Sequence, residues 1–332
     1  MEFTEILHQY RQLGGTAQNI ELRNSRFGKG LFPIRSDLPI KIVVPMHLLV
    51  SPKCLYLDEN RDLLLKRDLG LDPDFISFYE SYHRYFGWGN GGLEEQESYY
   101  SELKGLSKNL QQFLLLFGWL DADFEDKTVW EYLQAYFVCR QIGIENESKL
   151  MPLLELINHS SSGKQFIVDG GVHVQGTFKG EVLTCYRRNL DAFHFLRNYH
   201  FVSDSSTFLS CMVKIDAPNI GAINISRFDS MAVIKNGAIT PKITKTGSII
   251  HIAFLELANT QTNRSHRKVF AEQMQEFQVS TLNAYAVFDG LVDHNRKVLE
   301  DMIDECRRNN SKLARTIELV ALNQLNLLST NV

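Results

Sequence analysis

Four groups of residues in this 332-residue chain have the types and spacing to do chemistry. Gly28-Lys29-Gly30 sets two glycines around one residue, in a turn between two extended segments. Glycine lets a backbone approach a ligand closely and take angles closed to other residues. No third glycine and no helix follow, and no Gly-Lys-Ser/Thr ending is present, so it is neither a dinucleotide fingerprint nor a phosphate loop. Alone it also reads as an ordinary β-turn. Asn158-His159 ends the apolar run 152–157 and is followed by Ser160. Such a run can aim polar groups at a ligand, or it can simply stop, with Asn158 capping a turn. Arg140 lies near the end of a helical pattern, on or beside its apolar stripe. It either forms a salt bridge or holds a carboxylate through two parallel hydrogen bonds. Tyr186 ends a strand pattern and Tyr199 precedes His200-Phe201. Tyrosines at such places mostly pack, with the hydroxyl satisfied, but that hydroxyl can also orient a reacting group.

The elements that must position these groups follow from hydrophobic period. Residues 1–13 carry Phe3, Ile6, Leu7 and Tyr10 at helical spacing, and Gly14-Gly15 stops the helix. Strands are expected at 19–23, 31–34 and 41–50, with a bend at Pro45. From about 57 to 142 the pattern turns helical and aromatic, interrupted by a glycine loop at 87–92. This is a helical insertion between two β-rich blocks, and its aromatics face a core. A hairpin about Asp169-Gly170-Gly171, a strand at 182–186 and a short helix at 191–199 come next. Further strands are expected at 208–215, 230–234 and 248–254, then helices from about 255 to the end, broken at Asn309-Asn310-Ser311.

Length favours two packed units. With 44% hydrophobic and 22% charged residues, the chain has the composition of an ordinary globular protein. A formal net charge of −4 argues against a whole-protein grip on nucleic acid. The five cysteines are dispersed, none at CxxC spacing, which disfavours zinc and fits free thiols in a reducing compartment. Residues 1–10 carry acids and no apolar signal region, and no apolar run is long enough to span a bilayer, so a cytoplasmic location and no membrane are expected.

Taken in order, these pieces resemble the SET-domain methyltransferase family, in the branch of the Rubisco large-subunit lysine methyltransferase. The residues that carry the resemblance are Gly28-Lys29-Gly30-Leu31-Phe32, Pro152-Leu153-Leu154-Glu155-Leu156-Ile157-Asn158-His159-Ser160, and Gly180-Glu181-Val182-Leu183-Thr184-Cys185-Tyr186, which runs on to Asp191 and Tyr199-His200-Phe201-Val202. It covers nearly the whole chain through the order and spacing of its motifs.

The resemblance implies an α+β fold: a SET (β-clip, pseudoknotted) domain over 1–205, with the helical insertion at about 57–145, then a C-terminal domain over 206–332 that starts β-rich and becomes helical. It implies S-adenosyl-L-methionine as cofactor and methyl transfer to a protein lysine. A histidine acceptor and an inactive protein-binding scaffold stay open. By resemblance, Gly28, Lys29 and Gly30 lie along the methionine part of the cofactor. Asn158 and His159 hold its adenine and amino groups, and Arg140 holds its carboxylate. Tyr199 lines the transfer site, and Tyr186 is its companion. The C-terminal helices dock the protein substrate. The sequence departs from the family at Tyr186-Arg187 and at Tyr199-His200-Phe201, where glycine is usual after each tyrosine, and a side chain at 200 is expected to crowd the backbone. Ser161-Ser162-Gly163 also lacks the frequent cysteine or proline, and the zinc-binding cysteine cluster is missing, as it is in that branch.

Overall fold

The computed structural model describes residues 1–120, 124, 127–186, 190–217, 220–227, 233–235, 238–240, 243–260 and 265–330. The chain is α+β and forms two compact units. One comprises residues 1–98 and 127–187, the other residues 99–126 and 188–332. This division differs from the boundary expected at 205. Residues 99–126 of the expected insertion, and 188–205 of the expected first domain, belong with the C-terminal residues. The reason is apolar. Leu103, Leu110, Leu114 and Phe117 share one core with Phe193, Leu196, Leu299 and Ile317.

In the first unit the helix Phe3–Gln12 buries Ile6, Leu7 and Tyr10. A four-stranded antiparallel sheet runs Thr16–Gln18, Ile40–Pro45, Gly171–Gly176, Ile167–Val168. The hairpin of Ile20–Ser25 and Gly28–Pro33 stands beside it as a separate pair. Two helices close this core: Pro73–Phe86, started by Asp72 and a proline, and Val129–Val138, started by a Thr128/Glu131 capping box.

Two short strands then cross closely. Asn158–Lys164 and Leu183–Thr184 pair in parallel, but Leu183 faces Asn158 while the next residue, Thr184, faces Lys164. The intervening residues 159–163 therefore loop past the 183–186 segment. Gly163 makes this possible, since a Cβ there would lie 2.6 Å from the backbone carbon of Thr184 and 2.8 Å from the Cys185 nitrogen. On its other side the same segment is tied to the hairpin, where Val182 N–H donates to Leu31 O at 2.8 Å.

Several local expectations change. Gly28 and Gly30 lie in the strand Gly28–Pro33, because the turn closes earlier, at 26–27. Asn158 opens a strand instead of capping a turn, and the apolar run before it ends in the single 3₁₀ turn Leu154–Leu156. The insertion begins with a strand pair, Leu55–Leu57 with Leu63–Leu65. The strand expected at 41–50 stops at Pro45 and gives way to a 3₁₀ turn. A further strand, Glu256–Asn259, precedes the C-terminal helices and pairs with Thr207–Leu209. Of the strand expected at 230–234, residues 230–232 lie outside the described residues, as does Arg187.

The second unit holds a four-stranded sheet in the order Val213–Ala217, Gly221–Ile225, Ile249–Ile252, Ile243–Thr246. Helices His266–Gln275, Thr281–Arg308 and Lys312–Thr330 pack with it into one core. No helix among the described residues is long and apolar enough to cross a membrane.

Each unit also buries charge. In the second, Asp191 caps the helix Ala192–Tyr199 through the His194 N–H and accepts from the His194 ring at 2.7 Å. It pairs with Arg227, which stacks on Phe117 and Phe193 and donates to Leu209 O. Burial alone would raise the Asp191 pKa, but Arg227 and His194 override it and hold the group at about 2. In the first unit both Glu155 oxygens are buried without a hydrogen-bond partner. Burial raises its pKa to about 7, offset only in part by Arg140 and by the Tyr82 hydroxyl nearby. His83, buried beside Tyr79 and Tyr82, is pushed down to about 3 by the same desolvation.

Stability should respond to each of these buried groups. Arg227→Met leaves the buried Asp191 charge without its guanidinium partner and with only His194 to hold it, so urea unfolding should show a loss of about 3 kcal/mol. Protonating Asp191 weakens the same pair, so wild-type stability should fall with pH from about 3.8 towards 2. Glu155 has the opposite sign. Its folded value is raised, so its contribution is intact below about 4.5 and is lost as pH rises towards 7. Glu155→Gln should therefore match wild type at pH 4.5 and be more stable at pH 8, by about 1–3 kcal/mol. Equal stability of the two proteins at pH 8 would show that Glu155 does not resist ionisation.

Candidate functional site

The crossing gathers most of the expected residues of the first unit around Asn158. Its side-chain Nδ2 donates to the Lys29 carbonyl at 3.0 Å and to Glu181 Oε1 at 2.6 Å. Both sit over Gly30. A Cβ at Gly30 would come within 2.9 Å of Asn158 Nδ2 and closer still to Glu181 Oε1. The second glycine of the pair thus leaves room for two polar side chains above the strand. Gly28 serves the backbone instead. Its φ is +98°, with open space around it, so it answers the hairpin's turn and not a close neighbour.

His159 points to the other face of its strand and is buried. Its Nδ1 accepts the Tyr186 N–H at 3.2 Å, which places the ring proton of a neutral imidazole on Nε2. The Tyr186 ring lies against the imidazole at 5.1 Å, and its hydroxyl donates to Ile157 O. The Asn-His pair therefore works in two directions. Asn158 reaches the glycine hairpin, and His159 with Ile157 holds the end of the crossing segment. Upstream, fully buried Leu153 sits at φ +69°, a strained conformation for a branched side chain. It turns the chain from Pro152 into the 3₁₀ turn that leads to Asn158.

Arg140 follows the helix Val129–Val138 and is half-buried. Its guanidinium stacks over the Tyr136 ring at 3.7 Å, and its Nη1 donates to Tyr136 O and Cys139 Sγ. Burial alone would favour the neutral form, but Cys139, Tyr136 and Glu155 hold it charged, above its ordinary range. Arg140 thus belongs to an aromatic cluster, and its hydrogen bonds to Tyr136 O and Cys139 Sγ do not run to Asn158 or the hairpin.

Tyr199 belongs to the second unit, in the last turn of the helix Ala192–Tyr199, where its ring packs with Phe195 and Phe201. The crowding expected at His200 does not occur. His200 takes the left-handed conformation, φ 58° and ψ 25°, and donates its N–H to Leu196 O at 3.1 Å. This is the helix end at which glycine is usual. The imidazole stacks on Tyr99 at 3.7 Å, and the Tyr99 hydroxyl accepts from Trp119 Nε1. Stacking on a held aromatic offsets the strain that a side chain adds there.

Sequence reasoning missed Glu181, although it stood inside a quoted motif. One signal was available, since an acid directly after Gly180 and before an apolar strand has no packing use. It also missed Glu155 as a titrating group and Asp191–Arg227 as an ion pair. The latter spans 36 residues and leaves no local trace.

No family model matches the chain, and no curated protein matches it. Among solved structures it is similar to the SET domain of LSMT bound to lysine and AdoHcy, with 12% identity, a TM-score of 0.41, and coverage of 100% of this chain and 91% of that one. It is also similar to the SET domain of LSMT bound to MeLysine and AdoHcy, with 14% identity, a TM-score of 0.40, and coverage of 98% of this chain and 89% of that one.

Proposed function

We propose that this chain is a SET-type, S-adenosyl-L-methionine-dependent protein methyltransferase that acts on a lysine side chain. The observation that supports it most is the crossing itself. A strand that begins at Asn158-His159 pairs in parallel with Leu183–Thr184 across a register shift, and it delivers the Asn158 amide to the Lys29 carbonyl.

The residues suit such a cofactor. Gly30 makes room for the Asn158 amide and the Glu181 carboxylate above its strand, so polar groups stand beside the Lys29 carbonyl. The cofactor, when bound, supplies a methyl group on a sulfonium sulfur. The protein's share of such a displacement is alignment and exclusion of water, with no acid–base pair of its own. Lys29 and Asn158 would hold the amino-acid part, and His159 would keep the crossing segment in register beside the adenine. Arg140 would turn Nε and Nη2 to a carboxylate, since its bonds to Tyr136 O and Cys139 Sγ use Nη1. Tyr199 keeps the role that the resemblance implies, orienting an amine that has lost its proton. Lysine must reach that neutral form from a pKa near about 10.4, which an apolar, aromatic surround favours. The helices Thr281–Arg308 and Lys312–Thr330 are the proposed docking surface for the protein substrate.

Calorimetric titration with S-adenosylmethionine and S-adenosylhomocysteine tests the cofactor. Saturable binding at one per chain is expected, and Asn158→Ala should weaken it by about tenfold. No binding at millimolar cofactor would remove the proposal. Tyr199→Phe should bind cofactor like wild type and transfer methyl to lysate proteins about a hundredfold more slowly. Transfer at the wild-type rate would remove Tyr199 from the reaction, and methylhistidine in the product would replace lysine as acceptor.

A further inference from the structure

Two helices of the second unit leave a groove between them that no step of the proposed reaction uses. One wall is the helix Lys108–Leu116, which presents Asn109, Gln112, Phe113 and Leu116 at helical spacing. The other is the helix Thr281–Arg308, which presents Asp301, Asp304, Glu305 and Arg308 at the same spacing. The cavity between the two stripes is about 340 Å³, enough for several side chains of a ligand. Its charge is not uniform. Ser107, the cap of the first helix, donates to Glu305 Oε1 at 2.6 Å, and Arg308 donates to Oε2 at 3.3 Å. Glu305 and Arg308 are thus spent on closing one end. Asp301 and Asp304 differ. Their side chains are 52% and 63% exposed, and Lys297 and Arg307 stand 3.5 and 3.6 Å away on the same helix, farther than a charged hydrogen bond reaches. Exposed pairs of this kind are weak and screened, so both carboxylates are free to turn to another cation. At the far end of the first helix the groove becomes apolar. Leu116 is exposed there beside half-buried Phe113, and exposed Met212 donates its N–H to Leu116 O at 2.7 Å. Two acids one turn apart beside an apolar strip complement an amphipathic helix with basic residues along one flank of its apolar face. An anionic membrane surface would meet like charge there, and a bare polycation would leave the apolar strip in water.

We propose that this groove is the docking site for a basic amphipathic helix of a partner protein. Leucine-like side chains of that helix cover Phe113, Leu116 and Met212, and its lysines or arginines pair with Asp301 and Asp304. This narrows the docking surface proposed above to one groove and names the chemistry it takes. It rests on the docking part of that reading and not on methyl transfer.

Fluorescence anisotropy with two labelled helical peptides of about 18 residues tests it. Both repeat leucine at i, i+3, i+4 and i+7, and one carries lysine where the other carries glutamate. Wild type should bind the lysine peptide more tightly, by about tenfold or more. Asp301→Lys combined with Asp304→Lys should weaken that binding by about tenfold, and Leu116→Asn by about fivefold. Asp289→Lys combined with Asp293→Lys, on the same helix outside the groove, should change it by less than about twofold. Equal weakening by the two double variants marks general charge attraction and overturns the proposal, and so does unchanged binding in the groove variant or in Leu116→Asn. Displacement of the peptide by spermine at equal charge overturns it too, because the site would then take charge alone. So does a wild-type dimer that the groove variant abolishes, which would seat a second copy of this chain there. If the groove variant does not fold, the wild-type preference decides, and a ratio near one overturns the proposal. Peptide binding without cofactor binding fails the methyltransferase reading and keeps the groove, whereas cofactor binding without peptide binding does the reverse.

Discussion

The near-contact of Gly163 with the Thr184–Cys185 peptide is the constraint on which the candidate site depends. At that spacing even a methyl group overlaps the backbone, so the two segments cross only because residue 163 has no side chain. The crossing sets everything beside it. Leu183 faces Asn158, Cys185 N–H donates to Lys164 O, and Tyr186 N–H donates to His159. Val182 fixes the same segment to Leu31, so the glycine hairpin and the Asn-His strand are registered through one short piece of chain. The Asn158 bond to Lys29 spans 129 residues, and this double attachment is what holds it.

A different device operates in the second unit. Ala192–Tyr199 is only eight residues long, too short to persist by propensity alone. Asp191 caps its start, Phe193 and Leu196 bury one face, and His200 closes its end in the left-handed conformation. Arg227 then fixes Asp191 from a distant part of the chain. A buried ion pair of this kind adds little net stability over an apolar replacement, but it defines one arrangement where apolar packing tolerates several. The helix that carries Tyr199 is therefore held by direction as well as by burial.

What could be read in the sequence was what local pattern records. Ile6, Leu7 and Tyr10 gave a helix, and Asp169-Gly170-Gly171 gave a hairpin, because each periodicity or turn lies within a few residues. The Asn158-His159 pair was visible as polar residues closing an apolar run, but its consequence was misjudged. A turn and a strand start look alike until the pairing partner, 25 residues downstream, is known. The division into compact units was hidden for a similar reason. The apolar stripe of 103–117 announces a core-facing helix and says nothing of which core it faces. At His200 the sequence predicts crowding, because a side chain in the left-handed region is costly by itself. The stacked Tyr99 that offsets the cost lies about a hundred positions away.

The electrostatics above Gly30 also bear on what the Gly-x-Gly sequence can bind. Phosphate sites on glycine turns present N–H groups, usually with a helix start or a lysine behind them. Here the groups at Gly30 are the reverse. The Asn158 amide is spent on Lys29 O and Glu181, so the carbonyl and the carboxylate remain as acceptors. An anion entering this space would meet negative charge and lone pairs, and the nearby hairpin supplies strand N–H groups already committed to pairing. The polarity above Gly30 thus comes from Asn158 and Glu181, residues that the glycine pattern does not contain.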